Sequence, residues 1–118
     1  MKAFITARFD IDQLDRLTKS GFKVEQGGFG ITGVKLSQTE LIEKFKDVDV
    51  AIIEFENITQ EVISASKSLK IIACLRNEPG ASTDIAAATK ASIPVLFTPG
   101  RNAVAVAEYT LGLMISIA

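Results

Sequence analysis

LKIIACL, residues 69–75, decides the fold. From Ile71 to Leu75 every residue is apolar. A strand with one face in water alternates apolar and polar side chains, whereas an unbroken apolar run is buried on both faces, as in the interior of a parallel sheet. The same unbroken character recurs in VAII (50–53) and IPVLF (93–97), with helical patterns between the runs. Strands buried on both faces and alternating with helices predict a five-stranded parallel sheet covered on both sides, an α/β fold of flavodoxin-like or Rossmann-like type.

The remaining elements follow from local signals. KAFITA (2–7) reads as the first strand. Asp10 then caps a helix that carries Ile11, Leu14 and Leu17 on one face, and Gly21 closes it. FKVEQ (22–26) is the second strand. Ser37, with Glu40 three residues on, forms a capping box ahead of Leu41, Ile42 and Phe45. DVAIIEF (49–55) is the third strand, TQEVISAS (59–66) a short helix and LKIIACL the fourth strand. Thr83 or Asp84 opens a helix through Ala91, IPVLF is the fifth strand, and Asn102 opens a last helix that runs to Ala118. The chain has no internal repeat, low-complexity stretch or linker.

Composition narrows the chemistry. One domain's worth of chain, 118 residues with 47% apolar and 23% charged, buries a core without disulfides or metals. A net charge of −1 gives no electrostatic case for nucleic acid or an anionic membrane as partner. The sequence has no histidine, so a site that needs an imidazole base cannot be assembled from these residues alone. With no histidine and one cysteine, only carboxylates remain as ligands, which disfavours a transition-metal site. The single Cys74 forms no internal disulfide, and MKAFITARFD has neither the apolar run nor the cleavage site of a signal peptide. Both features point to the cytoplasm.

GFGITG (28–33) has the G-x-G-x-x-G spacing of a dinucleotide-binding turn, and the acid Glu54 follows 21 residues after Gly33. That fingerprint works when its third glycine already lies inside a helix packed on the preceding strand. Here Val34, Lys35 and Leu36 follow, and the helix start signal comes only at Ser37. The motif therefore reads as a glycine-rich loop. Two other α/β chemistries fail as well. A phosphate-accepting receiver domain needs an Asp after its third strand and a Lys after its fifth, whereas this chain has Glu54 and FTPG. A flavodoxin needs a phosphate loop after its first strand, and ARFDID offers none.

The last helix, NAVAVAEYTLGLMISIA (102–118), carries one charge, Glu108. A helix apolar nearly all round is expected to be buried. It is slightly short for a membrane span of about 20 residues and lacks basic flanking anchors. It also reaches Ala118 without a C-cap, a terminal glycine or a basic last turn. The expectation is a helix that continues into a second domain or packs on a partner; a core helix at a natural terminus is the alternative.

From Leu69 onward the sequence resembles the N-terminal catalytic segment of the D-isomer-specific 2-hydroxyacid dehydrogenases, which include phosphoglycerate dehydrogenase. The resemblance rests on Leu69–Lys70, the turn Gly80 to Asp84, Ala87–Ala88–Thr89, Ile93 to Val95, Thr98 to Asn102, and Val106 to Glu108. It covers about 50 residues. Residues 1–68 fit in order of elements with a weaker signal. The resemblance implies that 1–101 is a flavodoxin-like substrate-binding (catalytic) domain. Residues 102–118 would be an apolar interdomain helix leading toward an NAD-binding domain with its own glycine motif. It implies further that the catalytic Arg, Glu and His come from later sequence, so that no catalytic and no cofactor-binding residue lies in this chain, and that the full-length enzyme is a homodimer. GFGITG would then lie in the wrong domain for NAD.

By position, the resemblance also assigns a substrate-binding role to the turn Arg76, Asn77, Glu78, Pro79 and Gly80, whose backbone amides would hold the substrate carboxylate, and to Asn102. The alternative for Asn102 is a plain helix N-cap. The departures from the family pattern are equally specific. The turn carries Arg76, Glu78 and Pro79 where a Gly-x-Gly is usual. Glu78 would repel a substrate carboxylate unless Arg76 pairs with it or it points to solvent. Glu54–Phe55 stands where phosphoglycerate-type members often have Arg-Ser. Loss of that cation argues for an unphosphorylated 2-hydroxy or 2-keto acid. Two function classes result: the substrate-binding part of an NAD-dependent oxidoreductase, or a stand-alone binding or dimerisation module of the same fold.

Overall fold

A computed structural model describes all 118 residues. Five strands form one parallel sheet: β1 (Lys2–Ile5), β2 (Lys23–Gln26), β3 (Val50–Ile53), β4 (Ile71–Cys74) and β5 (Val95–Phe97), in the order β2-β1-β3-β4-β5. This is the flavodoxin-like arrangement. Between the strands lie α1 (Ile11–Lys19), α2 (Phe29–Thr32), α3 (Gln38–Phe45), α4 (Gln60–Ala65), a 3₁₀ turn (Pro79–Ala81) and α5 (Ile85–Lys90), and α6 (Ala103–Ile117) follows β5.

The helix starts are where the capping signals put them. Asp10 Oδ1 accepts from the Asp12 and Gln13 N–H groups, and Asp84 Oδ1 accepts from Ala87 N–H at 2.9 Å. The capping box of α3 is complete: Ser37 N–H donates to Glu40 Oε2 at 2.8 Å, and Glu40 N–H to Ser37 Oγ at 3.3 Å. Each such cap contributes about 1 kcal/mol by satisfying N–H groups that have no partner inside the helix.

Strand registry divides the core into two faces. Phe4, Ala51, Ile53, Ile72 and Cys74 point to one side and pack with Leu41 and Phe45 of α3, Val62 and Ile63 of α4 and Ala88 of α5. Phe4 and Phe45 meet edge to face at 6.2 Å. Ile5 and Ile52 point to the other side, against Leu14 and Leu17 of α1. Helices therefore cover both faces, but α1 covers only the β2–β1–β3 part of its side. Leu96 on β5 is 55% exposed, and its register partner Ala73 is half-buried.

The structure does not pack α6 on the core, which was the alternative for this helix. Every residue of α6 is exposed, and the molecule measures 55 × 33 × 24 Å. The apolar character is real, but nothing within these residues covers the helix. No helix of the structure is long and apolar enough to cross a membrane.

GFGITG, expected as a glycine-rich loop, is partly helical. Residues 29–32 form a short helix, α2, with Gly28 as its N-cap at φ +65° and Gly33 as its C-cap at φ +73°. A single helical turn leaves no apolar period in the sequence and depends on tertiary partners, which are described next.

Candidate functional site

In parallel sheets ligands gather at the carboxyl ends of the strands, above all where the strand order reverses. That point lies between β1 and β3 here, and it is filled by protein. Gly30 N–H donates to the Thr6 carbonyl at 2.7 Å. A Cβ on Gly30 would stand 2.3 Å from the Ala7 carbonyl oxygen, so only glycine allows this approach. Phe29 lies against Phe55 with ring centroids 4.4 Å apart. The Phe29 N–H, at the start of α2, donates to Glu56 Oε1 at 2.9 Å, and Glu56 is fully buried. The acceptor at this helix start is the protein's own Glu56 side chain. Glu56 thus takes the helix start that a pyrophosphate would need.

The open part of the edge lies at β3, β4 and β5. The loop after β4 is the turn singled out in the sequence. The N–H groups of Asn77, Glu78 and Gly80 donate to no protein acceptor. Asn77 ties the loop to the turn after β5. Its Oδ1 accepts from Gly100 N–H at 2.9 Å, and its Nδ2 is 3.5 Å from Asn102 Oδ1. Thr98 N–H adds a bond to the Arg76 carbonyl at 3.2 Å. Asn102 occupies the N-cap position of α6, but its side chain makes no capping bond there and faces Asn77 instead. Asn102 is thus the N-cap by position without a side-chain capping bond. Pro79 and Gly80 begin the 3₁₀ turn that closes the loop onto Ser82, whose hydroxyl donates to the Glu54 carbonyl at 3.2 Å.

Two guanidinium groups flank the loop. Arg76 does not pair with Glu78; it lies over the Phe55 ring at 4.9 Å from the centroid. Such contacts are worth about 0.5–1 kcal/mol at exposed sites. Glu78 is exposed and makes no ion pair. Arg101 donates to Glu54 Oε1 at 2.7 Å, and Glu54 is 8% exposed. The end of β3 therefore does not lack a cation, as its sequence suggested. Arg76 and Arg101 reach it from the ends of β4 and β5.

Sequence reasoning missed Glu56, the Glu54–Arg101 pair and the Arg76–Phe55 stack, because their partners lie 21 to 47 residues apart with no local pattern to link them. It also missed Thr98, whose buried Oγ1 has no hydrogen-bond partner and sits in the turn facing the loop. Cys74 lies in the core, where burial pushes its thiol up from the usual range and the Arg76 backbone N–H offsets this only in part. Of the larger concavities, one lies away from the site and one touches its loop only at Glu78 and Pro79. A groove of about 550 Å³ between α4 and α5 is floored by Ile63, Leu69, Ala87 and Ile93, and another of about 590 Å³ runs along the β5 edge past Glu78, Pro79 and Phe97. The loop, Asn102 and the two arginines present an open surface, as one wall of a cleft would.

Comparison with known proteins agrees with this architecture. Residues 5–111 match the family model of the D-isomer specific 2-hydroxyacid dehydrogenase catalytic domain. The chain is 35% identical over 107 residues to a D-3-phosphoglycerate dehydrogenase of Methanocaldococcus jannaschii, covering 88% of this chain and 20% of that protein. It is 34% identical over 116 residues to a hydroxypyruvate reductase of Thermotoga maritima, covering 95% and 37%. A crystal structure of NAD⁺-bound 3-phosphoglycerate dehydrogenase from Entamoeba histolytica superposes with a TM-score of 0.77 at 30% identity, covering 98% of this chain and 38% of that one. The chain thus spans between a fifth and two fifths of the length of these relatives. A matching family model across most of its residues, on the same fold, makes the chain a member of the D-isomer-specific 2-hydroxyacid dehydrogenase family.

Proposed function

We propose that this chain is the substrate-binding part of an NAD-dependent oxidoreductase that interconverts a D-2-hydroxy acid and a 2-keto acid. Residues 1–101 are the substrate-binding domain, and 102–118 lead toward the domain that holds NAD and supplies the catalytic groups. The substrate carboxylate is received by the free N–H groups of Asn77, Glu78 and Gly80, with Asn102 as a second donor through its side-chain amide. Arg76 and Pro79 shape this loop, the first by its stack on Phe55 and the second by starting the 3₁₀ turn.

The observation that carries the reading is the set of unpaired loop amides facing Asn102 at the carboxyl edge of a parallel sheet, while the alternative crevice between β1 and β3 is filled by Gly30 and Glu56. Oriented amides bind a carboxylate without a competing side chain. With Glu56 at the start of α2, NAD binding and hydride transfer are assigned to residues outside this chain, and the isolated chain is expected to be inactive. A homodimer of the whole enzyme and a cytoplasmic location complete the proposal.

The test is a calorimetric titration of NADH into the 118-residue chain, beside an assay of the full-length protein with NADH and a panel of small 2-keto acids. No binding to the chain together with reduction by the full-length protein is the expected pair. Micromolar binding by the chain would return GFGITG to the cofactor role and overturn the assignment.

A further inference from the structure

The direction in which α6 leaves the sheet rests on very few contacts, because the helix is exposed along its whole length. Between β5 and α6 the turn Pro99 to Asn102 is exposed too. Three links hold that turn: the Thr98 N–H bond to Arg76, the Asn77 side chain at Gly100 and Asn102, and the Arg101–Glu54 ion pair. The first joins the half-buried residues that follow β4 and β5, and the second joins one exposed loop to another. The ion pair is the link that reaches β3, because Glu54 immediately follows that strand, its side chain is 11% exposed, and its carbonyl accepts the Ser82 hydroxyl on the far side of the 76–82 segment. Glu54 is therefore bonded both to the end of the substrate loop and to the start of α6.

Resting on the functional reading above, we propose that the Glu54–Arg101 pair is a positioning latch, which fixes the Asn102 amide opposite the 76–80 loop so that both act on one substrate carboxylate. The pair touches no reacting atom in this role. Its carboxylate is mostly removed from water and its guanidinium is half-exposed, so the carboxylate relies on Arg101 for a charge-assisted bond. Arg101 also keeps N–H groups that the pair leaves free. Neutralised by Glu54, it acts through geometry rather than as an open anion site. Losing either partner frees the 98–102 turn, and the Asn77 contacts alone then hold Asn102.

The test uses the protein at its full encoded length, with the variants Arg101→Ala, Arg101→Lys, Glu54→Gln and the double variant Glu54→Gln/Arg101→Ala. The expected result is a rise of about tenfold in KM for a 2-keto acid in Arg101→Ala, with kcat and the dissociation constant of NADH unchanged within about threefold. The double variant should be no worse than Arg101→Ala, because coupled partners are not additive, and Arg101→Lys should recover part of the loss. An unchanged KM in Arg101→Ala, or a loss confined to kcat, overturns the latch. If Glu54→Gln fails to fold, the two Arg101 variants decide. Amide hydrogen exchange of residues 76–80 and 98–103 supplies a readout independent of activity: the latch requires faster exchange there in Arg101→Ala. If the wild-type protein reduces no 2-keto acid, the functional reading falls by itself, and the latch stands or falls on the exchange data.

Discussion

Glu56 Oε1 accepts the Phe29 N–H at 2.9 Å from inside the core, 27 residues away in sequence. Through this bond a buried carboxylate holds the glycine-rich segment down over the ends of β1 and β3. The glycines are explained by the packing that results, with no cofactor required. A Cβ on Gly28 would stand 2.4 Å from Glu56 Oε1 and one on Gly30 would stand 2.3 Å from the Ala7 carbonyl, but one on Gly33 would meet nothing within 4 Å.

This ranks three substitutions. Gly30→Ala pushes backbone against backbone and should destabilise the chain by about 2–3 kcal/mol. Gly28→Ala adds left-handed strain to a contact with a buried carboxylate and should cost about as much. Gly33→Ala carries only the left-handed strain at φ +73°, about 1 kcal/mol. Urea unfolding measures all three. A loss in Gly30→Ala no larger than that in Gly33→Ala would show that close approach is not what requires glycine at position 30.

Much of the fold was legible because its determinants are local. The unbroken apolar runs gave the parallel sheet, and Asp10, Ser37 with Glu40, and Asp84 marked three helix starts through bonds spanning three residues or fewer. What stayed hidden is tertiary. Helix α2 exists because Thr6 and Glu56 bond its backbone, and four residues cannot show a helical period. The site divides in the same way. The 76–80 loop and Asn102 could be located from the resemblance, but the guanidinium groups beside Phe55 and Glu54 needed the strand order, which brings the ends of β3, β4 and β5 together.

The exposed face of α6 should make the 118-residue chain associate. Leu111 is 59% and Ile115 77% exposed on a helix with one charged residue, and apolar surface of this extent is unusual on a monomer. Leu111→Lys with Ile115→Lys should shift sedimentation toward monomer and leave the urea midpoint of the sheet domain within about 0.5 kcal/mol of the parent, since neither side chain packs on the core. A midpoint that falls with association would mean that α6 supports the sheet.

Part of the pH dependence of stability arises at the opposite edge of the sheet, in addition to that from the lowered Glu40 and Glu61 at the starts of α3 and α4. The Lys2 backbone N–H, at 2.7 Å, and then the Lys70 ammonium hold the Asp49 carboxyl below its ordinary range. The Lys44 and then the Lys2 ammonium lower Glu25, while Asp47 and then Glu25 raise Lys2. A carboxyl lowered in the folded state contributes stability above its unfolded value, and this is lost as pH falls through the folded one. A raised lysine contributes below its unfolded value, and this is lost as pH rises through the folded one. Thermal midpoints should therefore form a plateau between the carboxylate and lysine ranges, with an acid limb that Asp49→Asn flattens. An acid limb unchanged in Asp49→Asn would place the titrating group elsewhere.

Cys74 should be inert in the native protein. It is fully buried on β4 and its thiol is pushed up by burial, so little thiolate forms near neutral pH. An aromatic disulfide reagent should react only as the chain unfolds, at the unfolding rate. Fast native labelling would show that the end of β4 opens locally.

The charges around the loop bear on which acid is turned over. Glu54, Arg76, Glu78 and Arg101 sum to zero, and Glu54 already engages one of the two cations. A single carboxylate can be held by the free amides without any net field. A phosphate tail carries close to two further charges and finds only Arg76 uncommitted, with exposed Glu78 two residues away. The full-length protein should therefore favour glycerate over 3-phosphoglycerate in kcat/KM. Glu78→Gln removes one repulsive charge and should narrow that preference by about threefold to tenfold, the scale of one charge at several ångströms near a surface. Added salt should narrow it as well, because the repulsion is solvent-screened. Equal turnover of the two acids by the parent protein would mean that groups beyond these residues receive the phosphate, and that the local charge sum does not set the choice.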